Sequence, residues 1–279
     1  MLRSARTAGV TVTTFMPPST ATFSASVVGK SVTASRALSA LIETQNPAGA
    51  HVLLHGKGNG CGRVLGLATL LSRALPRRDP RSAPAEALSA AFTAVREEVA
   101  QLADRARGAL RAPCAALEEI ATTLTDVRLE ERAHEHLARG VAPALALERI
   151  AAEVARALGG QGPAARRAVD IEAFLGAVAH RLANLEGQRV RRGELLISVH
   201  LPGLAALRGW AAGAVGGVCA TDAADSTGTA LLTALGMPVV SGVRQIFEAA
   251  AQGARVALDG ETGEVIVNPS ATQAAEWKR

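Results

Sequence analysis

The sequence has no tyrosine, two tryptophans and five phenylalanines, so aromatic residues make up only 3% of its 279 residues. A groove for nucleic acid needs aromatics interleaved with basic residues, and no stretch here supplies them. Lysine is equally scarce, with three among thirty basic residues. The remaining arginines alternate with Asp and Glu along helical stretches, as on a solvated face, so the pI of 9.8 reflects residue usage rather than a basic patch. Nucleic acid is therefore not an expected partner. The three cysteines, Cys61, Cys114 and Cys219, are far apart and odd in number. That pattern fits reduced thiols and excludes a disulfide framework or a zinc motif. No apolar run is long enough to span a membrane, and the opening MLRSARTAGVTVTTFMPP lacks the apolar core of a secretory signal. A cytoplasmic protein without membrane partner, metal or cofactor is expected.

What is present is a chain with 48% apolar residues, enough to bury a core. Residues 1–20 end in a Pro17-Pro18 break and are expected to be disordered. TFSASVVGKSVT predicts a hairpin, ASRALSALIETQ a short helix and AHVLLHG a strand, a small α+β fragment over 21–58. GCGRVLGLATLL is a glycine-rich entry into a strand. After the linker PRRDPRSAPAE the apolar period changes from two to about 3.6. Leu88, Phe92, Val95, Val99, Leu102 and Ala106 form one stripe. Three more helices follow: one from Pro113 to Gly140 carrying Leu117, Ile120, Leu124 and Val127; one carrying Ala146, Ile150, Val154 and Leu158; and one from Pro163 carrying Ile171, Leu175, Val178, Leu182 and Leu185. No helix can bury its stripe alone, so 84–187 is expected to pack as two helical hairpins. From Gly193 onward strands and short helices alternate, ending in ARVALDG and GEVIVNP around a DGETG turn. The expected architecture is an α/β domain over 59–75 and 188–272, interrupted by a four-helix insert.

Four stretches in this order carry a resemblance: GCGRVLGLATLL, ARRAVDIEAFLGAVAHRL, VGGVCATDAADSTGTALLTALGMPVVSGV and ARVALDGETGEVIVNPS. Together they resemble the amino-terminal, phosphohistidine-bearing half of Enzyme I of the bacterial phosphoenolpyruvate-dependent sugar phosphotransferase system. The phosphotransfer subunit of dihydroxyacetone kinase has the same module. The resemblance implies the swivelling, or mobile, domain of phosphoenolpyruvate-utilising enzymes, with an inserted helical domain that binds the carrier HPr. FSASVVGKSVTASRALSALIETQNPAGAHVLLHGKG resembles the middle and end of HPr, without its histidine loop. HPr–Enzyme I fusions share that order of modules. An HPr-like phosphocarrier or a kinase subunit is the implied partner.

The family loop reads Gly-Gly-x-Thr-Ser-His before its helix. Counted back from Pro238, the histidine position falls on Thr227, the Thr-Ser pair on Asp225-Ser226 and the first glycine on Asp222. A threonine hydroxyl is a poor nucleophile without a base, and its phosphoester is too stable to hand on. Asp222 and Asp225 place negative charge where a phosphate dianion would sit. In this reading the catalytic set is empty and Asp222, Asp225, Ser226 and Thr227 form an ordinary turn and helix cap. His200, at the end of GELLISVH, is the substitute histidine considered; the alternative is a strand-end histidine bonded locally. The barrel that binds phosphoenolpyruvate in the family is not within these residues, so autophosphorylation from phosphoenolpyruvate is not expected. Three readings stay open: a degenerate paralogue that relays no phosphate, an active carrier in a sugar or dihydroxyacetone chain using another histidine, and a vestigial gene product.

Overall fold

The computed structural model describes residues 51–71, 85–124, 126–158, 162–185, 189–222 and 226–277. The hairpin, helix and leader expected before residue 51 lie outside them. A mixed sheet runs β1 (Val52–His55), β8 (Glu264–Val267), β7 (Arg255–Asp259), β3 (Arg63–Leu70), β4 (Glu194–Ser198), β5 (Gly216–Cys219), β6 (Val239–Ser241), β2 (Lys57–Asn59). The central strands β3, β4, β5 and β6 are parallel, and the flanking pairs are antiparallel.

β1 and β2 are separated in sequence by Gly56 alone, yet they occupy opposite ends of the strand order. The sheet must therefore curl until its two ends meet at that residue. Gly56 is needed there because a Cβ would run into the Ser241 carbonyl oxygen, and its own N–H bonds Gly263 O at 2.9 Å. Residues 52–59 thus belong to the α/β sheet, which corrects the expected boundary at 58. The pattern of AHVLLHG shows a strand but does not say which sheet it joins.

Alternation along the strands divides the core. Leu195, Ile197, Val218 and Val240 point to the inside of the curl, with Leu54, Val256 and Val265. Leu196, Cys219 and Val239 point to the other face, under helices. Those helices include α6 (Gly203–Ala212) and α7 (Thr227–Ala234), which connect the parallel strands; the short α8 (Ile246–Ala249) and α9 (Ala271–Glu276) follow.

The insert between β3 and β4 contains α1 (Ala85–Ala109), α2 (Ala115–Leu124), α3 (Arg128–Ala138), α4 (Pro143–Ala157) and α5 (Pro163–Leu182). All six residues of the first stripe are buried. The second expected helix is two helices, and Val127, placed in its stripe, is 57% exposed. Asp126 explains the break: its Oδ1 accepts the Arg128 N–H at 3.0 Å, a side-chain substitute for a helical bond. Helices α1, α2 and α5 pack on α6 and α7, so one apolar core runs from the insert into the α/β body.

Candidate functional site

β5 ends at Cys219, and the chain re-enters helix at Ser226. Ser226 is the N-cap of α7: its Oγ accepts the Thr229 N–H at 3.1 Å. The same oxygen accepts the Thr229 hydroxyl at 2.8 Å and donates to Leu201 O at 2.9 Å. A hydroxyl with one donor and two acceptor sites filled is fully used. The Cys219 thiol lies below, 3.5 Å from Thr229 Oγ1, and burial pushes its pKa up. It is a packed thiol, not a reactive one.

Two amides of the first turn are also taken. Thr229 N–H goes to the cap, and Gly228 N–H goes to Leu201 O at 3.0 Å. A Cβ on Gly228 would lie 2.6 Å from that same carbonyl, so the turn is pressed onto the β4–α6 connection. A helix N-terminus binds phosphate through unused N–H groups, and these two are committed within the protein.

Thr227, at the position the resemblance gives to histidine, is 3% exposed. Its Oγ1 is buried without a hydrogen bond of ordinary geometry and lies beside the carboxyl of Asp170. Asp170 comes from α5 and is itself buried. It accepts the N–H of Gly203, the first residue of α6, at 2.6 Å. Burial raises its pKa to about 6, opposed by the Gly203 amide and the Thr227 hydroxyl. Sequence reasoning included Asp170 in the stretch ARRAVDIEAFLGAVAHRL and in the helix from Pro163 but gave it no role. The signal was there: Asp170, Phe174 and Val178 fall four apart on the buried stripe, an acid where a core residue belongs.

His200 follows β4 and meets the turn at its other side, with Nδ1 3.1 Å from Thr221 Oγ1. Thr221 gives its hydroxyl proton to Val199 O at 2.8 Å, so Nδ1 carries the ring proton and donates. Asp222 is exposed at the turn; Asp225 lies outside the described residues. The structure therefore gathers Ser226, Thr227 and Asp170 at one point and sets His200 and Asp222 at the rim by Thr221. Within the insert, His134 contacts Ser89 at 2.8 Å, and His180 Nδ1 contacts Gly176 O at 2.8 Å. Among the described residues no group of three His, Cys, Asp or Glu is placed to hold a metal ion. No helix among them is long and apolar enough to cross a membrane.

A separate cleft of about 650 Å³ lies between α1, α5 and α6. Arg208 forms one wall through a two-pronged ion pair with Glu98, both bonds 2.8 Å.

No known protein family and no curated protein matches the chain. Solved structures do. The NMR solution structure of the Enzyme I protein nEIt is 17% identical, with a TM-score of 0.55 over 81% of this chain and 96% of that one. The N-terminal domain of Enzyme 1 - Nitrogen is 19% identical, with a TM-score of 0.55 over 81% of this chain and 98% of that one. At these identities the likeness is one of fold: the chain folds like the amino-terminal domain of Enzyme I.

Proposed function

We propose that the chain is an Enzyme I amino-terminal-type protein, related to the phosphocarriers of the phosphotransferase system, that does not relay phosphate through its α7 turn. One observation carries this reading. At the position where the resemblance expects a solvent-reachable imidazole stands Thr227, 3% exposed and facing a carboxyl. A phosphoryl donor cannot reach that hydroxyl, and a dianion beside ionised Asp170 would meet repulsion in a region of low dielectric. The filled cap and committed amides support the same conclusion. The role that remains is docking. The helical insert would hold an HPr-like carrier or a kinase subunit and regulate it by occupancy.

A second reading, an active carrier, is favoured by one observation. The ring of His200 lies at the rim of the turn with its Nδ1 proton fixed by Thr221. A fixed Nδ1–H makes Nε2 the basic, nucleophilic nitrogen. The test is phosphate transfer: the purified chain mixed with phosphoenolpyruvate, intact Enzyme I and HPr, followed by assay of acid-labile phosphate on each protein. The expected result is charged HPr and no label on this chain. Label mapped to His200 would replace the first reading by the second. Capture of neither HPr nor a kinase subunit by the immobilised chain would remove the docking role.

A further inference from the structure

Asp170 is more than a neighbour of Thr227. It is an acid of the insert buried against two helix N-termini of the α/β body. Its Oδ1 holds the first amide of α6 at 2.6 Å, and Thr227, beside it, is the first residue of α7. The approach is close because residue 203 is glycine: a Cβ there would collide with Ile120 of α2, which is fully buried. The seam between insert and body therefore converges on one carboxyl.

The charges around it nearly cancel. Glu119 on α2 faces Asp170 and disfavours its ionisation; Arg166, one turn before it on α5, favours it. Those two are themselves a loose pair at 3.9 Å and partly solvated. The first turns of α6 and α7 present no acidic or basic side chain. The cation that favours ionisation, Arg166, is partly solvated and shared with Glu119, and a buried carboxylate so weakly compensated is costly. The neutral acid suits the site better. One oxygen still accepts the Gly203 amide, and the acid proton has an acceptor in the Thr227 hydroxyl, which is otherwise without an ordinary hydrogen bond.

We propose that Asp170 is a proton-operated latch: neutral, it closes the insert onto α6 and α7; ionised, it loosens that seam. The sign follows from the raised pKa. Folded, the group binds its proton more tightly than it does unfolded. Its contribution to stability is full below the ordinary carboxylate range and is lost as pH rises through about 6. The inference stands whether or not the chain carries phosphate.

Asp170→Asn keeps the shape, the acceptor for Gly203 and a donor for Thr227, but cannot ionise. In the full chain, the melting temperature of the wild type should fall below that of D170N by about 5 °C at pH 8, and the gap should narrow below pH 6 and close at about pH 4. The Gly203 amide resonance should titrate with a midpoint near 6 in the wild type and stay fixed in D170N. A D170N protein that melts below the wild type at pH 8, or fails to fold, would show that the charge holds the seam and overturn the proposal. So would a Gly203 amide with no titration between pH 5 and 7.

Discussion

Two aspartates are nearly equally shielded from solvent, Asp170 at 2% exposure and Asp259 at 3%, though Asp170 lies the deeper. Their ionisation differs in sign. Burial raises both, yet Asp259 is held below the ordinary carboxylate range. At the end of β7 it accepts the Thr262 amide at 3.0 Å, Arg63 Nε at 2.7 Å and the Glu261 amide at 2.9 Å. Asp170 has one amide, one hydroxyl and the partly solvated Arg166, which Glu119 offsets, so desolvation wins. Solvent exposure alone does not decide the charge; the donors converging on the carboxyl and the depth at which it lies do. Asp259 contributes stability above the ordinary carboxylate pKa and loses it as pH falls through its depressed value. Asp170 does the reverse through about 6. The molecule carries one acid that favours neutral solution and one that favours mildly acidic solution.

Asp259→Ala should break this comparison most visibly. It removes the acceptor of the hairpin turn and costs about 3 kcal/mol at pH 7 in urea unfolding. It should also flatten the acid limb of the stability curve. Asp170→Asn acts in the opposite direction, adding about 2 kcal/mol at pH 8 and nothing near pH 4. Ser226→Ala should cost about 1 kcal/mol as a lost cap, equally at pH 5 and pH 8, because no charge changes. A loss that varied with pH would tie the cap to Asp170 through Thr227 and enlarge the latch to include α7.

Much of the architecture is legible in the sequence because it rests on local periodicity. The stripe from Leu88 to Ala106 is buried as its spacing requires, and GELLISVH, VGGVCAT and PVVSG each contain a strand. What escapes is whatever a long-range partner decides. Asp126 breaks a helix that apolar spacing alone continues through Val127. AHVLLHG reads equally well as the last strand of a small fragment and as β1 of a large sheet; its pairing with β8, more than two hundred residues on, settles the matter. At the candidate site, the sequence shows that Thr227 stands where the resemblance places histidine. The crowding around Thr227 is not legible there, because Asp170 and Leu201 reach the turn from other elements.

The single-residue step at Gly56 has a practical side. Because the same short run of chain forms both borders of the sheet, a cut placed at residue 60 would remove two strands at once. It would leave β8 and β6 with unpaired backbone groups on the inner, apolar curl. Unprotected borders of this kind recruit other chains. A fragment beginning at residue 60 should therefore be recovered as aggregate, whereas one beginning before Val52 keeps its seam closed and stays dispersed, a difference that size-exclusion chromatography reads directly.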